Sequence, residues 1–240
     1  MKILIIPDVH GRDFWRKAVS REEYDKVIFL GDYTDPYYGE ATNEEALQGL
    51  KDIIQFKKDN PDKCILLIGN HDCPYIWKEY GKALGNYWCR HDYKNHEEIN
   101  KLFNDNLDLF RLAWECENKK YGKVLFTHAG VNSDFKEICG LNAEDINKFF
   151  FKEKSGKLSN IIGLAAVSYY RGGYGTYGSI VWADVREHML DPVTEVYQIF
   201  GHTYSAEPII EDNFAMLDDG GKHYYILDDN GITKINSYDD

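Results

Sequence analysis

Over the first two-thirds of this chain, short apolar runs alternate with longer stretches whose apolar residues recur at helical spacing. The runs are Lys2–Ile6, apolar from Ile3 onward and rich in isoleucine, Val27–Leu30, Cys64–Ile68 and Val124–Phe126, and their apolar character predicts buried strands. Between the second and third lies Asn43–Asn60, a predicted helix. It opens on Thr42-x-x-Glu45, the spacing of a capping box, and stops before Pro61. Leu47, Leu50, Ile53, Ile54 and Phe56 give it one apolar face. Glu97–Glu117 reads as a second long helix, with Ile99, Leu102, Phe103, Leu107, Phe110 and Trp114 inward, and Asn142–Lys154 as a third. The last third changes character. Glu195–Phe200, Phe214–Leu217, Tyr224–Leu227 and Ile232–Ile235 are short strand patterns, several of them separated by Asp-Gly, Gly-Gly or Asn-Gly turns. The expectation is an α/β chain that closes in a β-meander. It would form one domain over residues 1–240, two packed mixed β-sheets flanked by helices.

Composition narrows the function classes. A net charge of −12 repels phosphate backbones, which argues against broad nucleic-acid binding and leaves room for a local basic pocket. The apolar start of MKILIIPDVHG is too short for a signal segment, and no stretch approaches the roughly 18 apolar residues of a membrane span, so the expected location is cytoplasmic. Cys64, Cys73, Cys89, Cys116 and Cys139 are scattered, odd in number and without a CxxC pair, as buried free thiols would be.

Five of the apolar runs lead directly into a residue able to bind metal: ILIIPDVHG, VIFLGDYTD, ILLIGNHD, VLFTHAG and YQIFGHT. In open α/β sheets, ligands bind beyond the carboxyl ends of the strands. Asp8, His10, Asp32, Asn70, His128 and His202 would gather there. An Asp after a strand is ordinarily a turn residue and a lone His a satisfied polar group, but five such ends together are not explained that way. Imidazole, carboxylate and amide oxygen without thiolate suit Mn, Fe, Zn or Co. One aspartate between two histidine-bearing groups points to a bridging carboxylate and two ions, the arrangement that clamps an in-line displacement at phosphorus.

In order and spacing these motifs resemble the calcineurin-like metallophosphoesterase superfamily: Asp8-Val9-His10-Gly11, Gly31-Asp32-Tyr33-Thr34-Asp35, Gly69-Asn70-His71-Asp72, His128-Ala129-Gly130 and Gly201-His202-Thr203. The resemblance implies a metallophosphoesterase-type β-sandwich and a role for each residue. Asp8 and His10 would hold the first metal, Asp32 would bridge, and Asn70, His128 and His202 would hold the second. His71 would face the leaving-group oxygen and Asp35 would fix its tautomer. It further implies two divalent ions, Mn²⁺ first with Fe, Zn, Co or Mg as alternatives, and hydrolysis by in-line attack of a hydroxide held between them.

DVHG, GDYTD, THAG and Val181-Trp-Ala-Asp184 look like the branch of serine/threonine protein phosphatases and bacterial diadenosine tetraphosphatases. The implied substrate is a phosphate monoester: a phosphorylated small molecule, a nucleotide or a phosphoprotein. Phosphodiesterase relatives often end in G-H-x-H, where this chain has Tyr204, a poor substitute ligand, which points to the monoesterase or pyrophosphatase branch. A phosphodiesterase or nuclease of the same superfamily, and a non-catalytic metal-binding scaffold, are the alternatives. Tyr204 and the acidic charge count against the first, and the complete ligand set against the second.

One departure concerns arginine. The branch carries D-R-G after the second aspartate, where this chain has Pro36. Arg171, in the glycine-rich stretch Ser168–Ser179, is the first candidate to bind the phosphate instead, followed by Arg186 and Arg12. Tyr169, Tyr170, Tyr174 and Tyr177, with Tyr33, Tyr37, Tyr38 and Tyr204, would form an aromatic rim or serve as packing. His91, His96, His188 and His223 match no motif and read as polar-site histidines, and Trp88–His91 as a segment able to cap the cleft.

Overall fold

The computed structural model describes residues 1–85, 90–151 and 158–238. The sequence readings at Trp88, Cys89 and the end of the third helix near Lys154 lie outside the described residues. In chain order the elements are β1 (Ile3–Ile6), α1 (Phe14–Arg21), β2 (Lys26–Phe29), α2 (Asn43–Asp59), β3 (Cys64–Leu67), α3 (Cys73–Ile76), α4 (Lys78–Leu84), α5 (His96–Asp105), β4 (Phe110–Arg111), β5 (Ala113–Asn118) and β6 (Gly122–Thr127). Then come α6 (Ser133–Cys139), α7 (Ala143–Phe151), α8 (Leu158–Leu164), α9 (Val185–Leu190), β7 (Tyr197–Phe200), β8 (Ile209–Ile210), β9 (Phe214–Met216), β10 (His223–Asp228) and β11 (Gly231–Asn236).

They form a mixed α/β fold of two sheets flanked by helices, ordered β11-β10-β1-β2-β3-β4 and β5-β6-β7-β9-β8. β1 to β4 run parallel, as do β6, β7 and β9. The unbroken apolar runs reflect burial on both faces. Ile3, Ile5, Ile28, Leu30, Ile65 and Leu67 share a core with Val124, Phe126 and Ile199 of the second sheet. The alternate residues Leu4, Ile6, Phe29 and Leu66 pack with Trp15, Leu47, Leu50 and Ile53 of the helices. The Thr42–Glu45 capping box forms as expected, with Thr42 accepting from the Glu45 amide and Glu45 accepting from the Thr42 amide.

Two expectations need correction. Glu97–Glu117 is not one helix. α5 ends at Asp105, a 3₁₀ turn spans Leu107–Leu109, and β4 and β5 come next. From Ala113 onward the operative period is two: Trp114 and Cys116 pack against the inter-sheet core, with Glu115 and Glu117 alternating between them. The helical spacing of Phe110 and Trp114 was a coincidence of two strands with a preceding helix. Nor is the last third a meander. β10 and β11 do form a hairpin, but β10 pairs with β1 in the first sheet, whereas β7 and β9 lie parallel in the second.

Cys64, Cys73 and Cys139 are buried free thiols and Cys116 is half-buried; burial pushes the Cys64 thiol up to about 12, so it stays protonated. Among the described residues no helix is long and apolar enough to cross a membrane.

Candidate metal centre

The six predicted ligands come together where the carboxyl ends of β1, β2, β3, β6 and β7 meet. Backbone bonds lock the ends to one another: the His10 amide donates to the Asp32 carbonyl at 2.6 Å, and the Gly201 amide to the His128 carbonyl at 2.8 Å. His128 Nδ1 donates across the sheets to the Leu30 carbonyl at 2.8 Å. Asp8 accepts the His202 amide at 3.1 Å. Among the described residues, the non-glycine residues with positive φ are His10, Asp32, Asp35 and His202, all members of the predicted set. Holding such residues in the left-handed region costs on the order of 1–3 kcal/mol each, so the surrounding bonds must over-determine them. The glycines of two motifs make room. A Cβ on Gly69 would collide with the Asp32 carboxylate, and one on Gly201 with that of Asp8.

Asp32 occupies the centre. Its Oδ1 accepts the His71 amide at 2.9 Å. Its Oδ2 lies 3.5 Å from His10 Nε2 and 3.5 Å from His128 Nε2. Two groups of donor atoms, each within 4.8 Å of one another, therefore share this carboxylate: His10, Asp32 and His71, and Asp32, His128 and His202. His10 Nδ1 faces the Thr34 carbonyl at 3.0 Å; a carbonyl only accepts, so Nδ1 carries the proton and Nε2 presents a lone pair. His128 has the same tautomer, yet its Nε2 sits 2.9 Å from Asn70 Oδ1, itself 2.9 Å from His202 Nδ1. His202 Nε2 is buried without a partner among the described residues. Lone pairs facing one another in a buried space are what a cation satisfies. Imidazole, carboxylate and amide oxygen without sulfur fit a borderline divalent ion.

The electrostatics agree. Burial drives His10, His128 and His202 toward the neutral, ligating form. Burial raises Asp8, with Asp218 and Asp32 adding to it, and lifts Asp218 to about 6. Burial also opposes the charge on Asp32; the His71 amide and the attraction of His128, His71 and His10 while they hold a proton keep the carboxyl below its usual range, an attraction that a bound cation would supply once the imidazoles are neutral. Neutral imidazoles around crowded carboxylates leave a negative centre that a divalent cation would neutralise.

The sequence model of calcineurin-like phosphoesterases matches residues 1–206. The chain belongs to the calcineurin-like phosphoesterase family. Members of this family are divalent-metal dependent and act on phosphorylated substrates, which supports a hydrolase acting on phosphoester bonds. Among solved structures the chain is similar to a cold-active protein-tyrosine phosphatase of a psychrophilic Shewanella species, at 16% identity and a TM-score of 0.63, over 98% of this chain and 78% of that one. That likeness concerns the fold. It also matches a metallophosphoesterase from Sphaerobacter thermophilus at 14% identity, covering 98% of this chain and 88% of that one with a TM-score of 0.44. A third match is YfcE, a phosphoesterase from E. coli, at 11% identity, 99% and 94% coverage and a TM-score of 0.43.

In this calcineurin-like phosphoesterase the remaining predicted residues fall into two groups. His71 Nδ1 meets Asp35 Oδ2 at 3.0 Å, as an imidazole and its orienting carboxylate would. Arg171 stands on the His128–His202 side, where its charge helps keep both imidazoles neutral, and its Nη1 is 3.8 Å from Asp184. Arg186 is engaged elsewhere, forked onto Asp184 at 2.6 and 3.1 Å and bonded to the Tyr170 carbonyl. Arg12 donates to the Asp8 carbonyl and is neutralised by Glu40 at 2.8 Å. Of the tyrosines, Tyr33 is packing, fully buried with its hydroxyl on the Leu67 carbonyl. Tyr37, Tyr38, Tyr169, Tyr174 and Tyr204 are exposed.

Three further residues support the centre: Asp72 and Tyr75, which had no assigned role in the sequence, and Arg90, read there only as part of the Trp88–His91 segment able to cap the cleft. Asp72 accepts amides of Asp32, Tyr33 and Gly69 and so ties the GDYTD loop to the GNHD loop. Tyr75 donates to Asp35 Oδ1 at 2.5 Å. Arg90 reaches the Asp35 carbonyl. Asp72 stands inside a recognised motif, but nothing local marks Tyr75 or Arg90.

His188 is a further correction. Its surroundings are apolar: it packs on Phe200 and Phe214, with Nε2 3.0 Å from the Ala129 carbonyl behind the His128 turn. Burial lowers it from 6.5 to about 4. The unfolded chain therefore binds the extra proton first, and the stability conferred by neutral His188 is complete above about pH 6.5 and lost as pH falls toward 4. In urea unfolding, moving from about pH 7.5 to about pH 5 costs the wild type ~2 kcal/mol through this group, a loss absent from His188→Gln. Equal losses in the two proteins would place the acid sensitivity elsewhere.

Proposed function

We propose that this chain is a metal-dependent phosphatase that hydrolyses phosphate monoesters, with Asp8, His10 and Asp32 holding one divalent ion and Asp32, Asn70, His128 and His202 the other. The observation that carries the reading is the Asp32 carboxylate, with Oδ2 equally distant, at 3.5 Å, from a nitrogen of each histidine group. A pair of such ions, Mn²⁺ first among the candidates, supplies neutralisation of the phosphoryl oxygens and a water of lowered pKa. The chain's own residues do the rest. His71 is 7% exposed, and Asp35 engages its Nδ1, which turns Nε2 toward the cluster. There it protonates the leaving oxygen. Although His71 counts among the donor atoms near His10, its bond to Asp35 supports this acid role over ligation. Arg171 adds a positive charge on the His202 side.

Tyr204 favours monoesters over diesters. It is 58% exposed and stands where diester-cleaving relatives carry a further histidine. A phosphorylated small molecule, nucleotide or phosphoprotein is the proposed substrate. With added Mn²⁺, the protein should turn over p-nitrophenyl phosphate at least ~10²-fold faster than bis-p-nitrophenyl phosphate, in proportion to the transition-state charge its site can neutralise. A preference for the diester would move the reading to phosphodiesterase, and inactivity on both to a metal-binding scaffold.

A further inference from the structure

The guanidiniums around the centre differ in what already occupies them. Arg186 is forked onto Asp184, and Arg12 is paired with Glu40. Arg171 shares Asp184 with Arg186 at the longer distance of 3.8 Å. Arg90 pairs with no carboxylate among the described residues. Its Nε and Nη2 both donate to the Asp35 carbonyl at 3.1 Å, immediately before Pro36. Its guanidinium lies 3.5 Å from the centroid of the Tyr37 ring, and that ring stands edge-on to His10 at 5.1 Å. Nη2 is also 3.5 Å from His10 Nδ1.

A guanidinium has five N–H donors, and the Asp35 carbonyl takes one from Nε and one from Nη2. Arg90 also has a side-chain hydrogen bond with Tyr37, so two N–H groups remain, on a charge that no carboxylate among the described residues neutralises. The backbone bonds and the Tyr37 ring hold the plane still, so ordering it costs little when an anion arrives. Arg90 is exposed and lines an open groove with Pro36, Tyr37, Tyr38 and Glu40, so the donors are reachable from solvent.

We infer that Arg90, braced by the Asp35 carbonyl and the Tyr37 ring, binds the non-bridging oxygens of the substrate's phosphoryl group on the His10 side of the centre. It does so from the segment after the GNHD loop, in place of an arginine at position 36. This rests on the phosphoesterase reading above. Arg90 then acts beside His10, and the Arg171 charge is felt at His128 and His202.

The test uses Mn²⁺-loaded wild type, Arg90→Lys and Arg90→Ala. Inorganic phosphate binding is measured by calorimetry, and turnover on p-nitrophenyl phosphate and on an alkyl phosphate. Arg90→Ala should bind phosphate ~10- to 100-fold more weakly, the scale of a lost charge-assisted bond, with metal content unchanged. Its kcat/KM should fall by the same factor for both esters. Arg90→Lys should recover little, because a point charge does not reproduce the fork. Unchanged phosphate affinity in both variants would overturn the inference. So would a loss confined to the alkyl ester, since that pattern belongs to a residue acting through Asp35 and His71. Failure of the wild type to bind phosphate or to hydrolyse either ester would instead remove the phosphoesterase reading itself.

Discussion

His71→Ala should retain its metals and lose turnover by about 10²–10⁴-fold, the range for a missing general acid. Three contacts aim the side chain. Its amide is held by Asp32 Oδ1, its Nδ1 by Asp35 Oδ2, and Asp35 in turn by the Tyr75 hydroxyl on its other oxygen. Tyr75 is fixed by accepting the Asp92 amide at 2.7 Å and by the His91 ring stacked on it at 4.4 Å. Such a chain leaves the imidazole one productive direction, with Nε2 toward the centre. Removal of the ring leaves Asp32 and the other donors in place, so metal content should be that of the wild type. The loss should be larger for alkyl than for aryl phosphates, because a nitrophenolate leaves without much help from a proton. Asp35→Asn should give a milder form of the same defect. Losses that do not depend on the leaving group would exclude the acid role.

The second large effect concerns the centre. Asp32→Asn should lower metal content from about two ions per chain to about one or fewer, and reduce turnover by at least ~10²-fold. Asparagine keeps an oxygen for the His71 amide, so the GNHD loop can stay folded. What it lacks is the charged Oδ2 shared between His10 Nε2 and His128 Nε2. Elemental analysis after reconstitution with Mn²⁺ and dialysis reads the first effect, and thermal unfolding of the metal-free proteins shows whether the fold is intact. A single ion in the wild type, unchanged in the variant, would remove Asp32 from the bridging position.

Much of this centre is legible locally. A run such as Ile3–Ile6 must be buried on both faces, and the residues just after it must therefore emerge at the end of a strand. Asp8, Asp32, Asn70, His128 and His202 inherit their places from that rule, and their motifs supply the glycines the close approach needs. Local patterning misleads where two periods coincide. In Glu97–Glu117 the apolar residues fit a helix as well as a helix followed by strands, and only the pairing of Phe110 beside Leu66 and of Trp114 beside Phe126 separates the two.

From its order of apolar runs, turns and ligand-bearing motifs, the sequence by itself determined the α/β class, the helix over α2 and the convergence of six donors at strand ends. All of these depend on contacts or periodicities within a few residues. The tertiary structure alone decided which sheet receives the β10–β11 hairpin, because strand pairing is non-local and many partners offer the same apolar face. It also decided that Arg186 answers Asp184 while Arg90 stands over Tyr37 with no carboxylate partner among the described residues. A guanidinium sits on a long flexible side chain and can reach any of several neighbours. Its partner is set by which carbonyls, rings and carboxylates the fold brings within hydrogen-bond range, and no spacing along the chain encodes that.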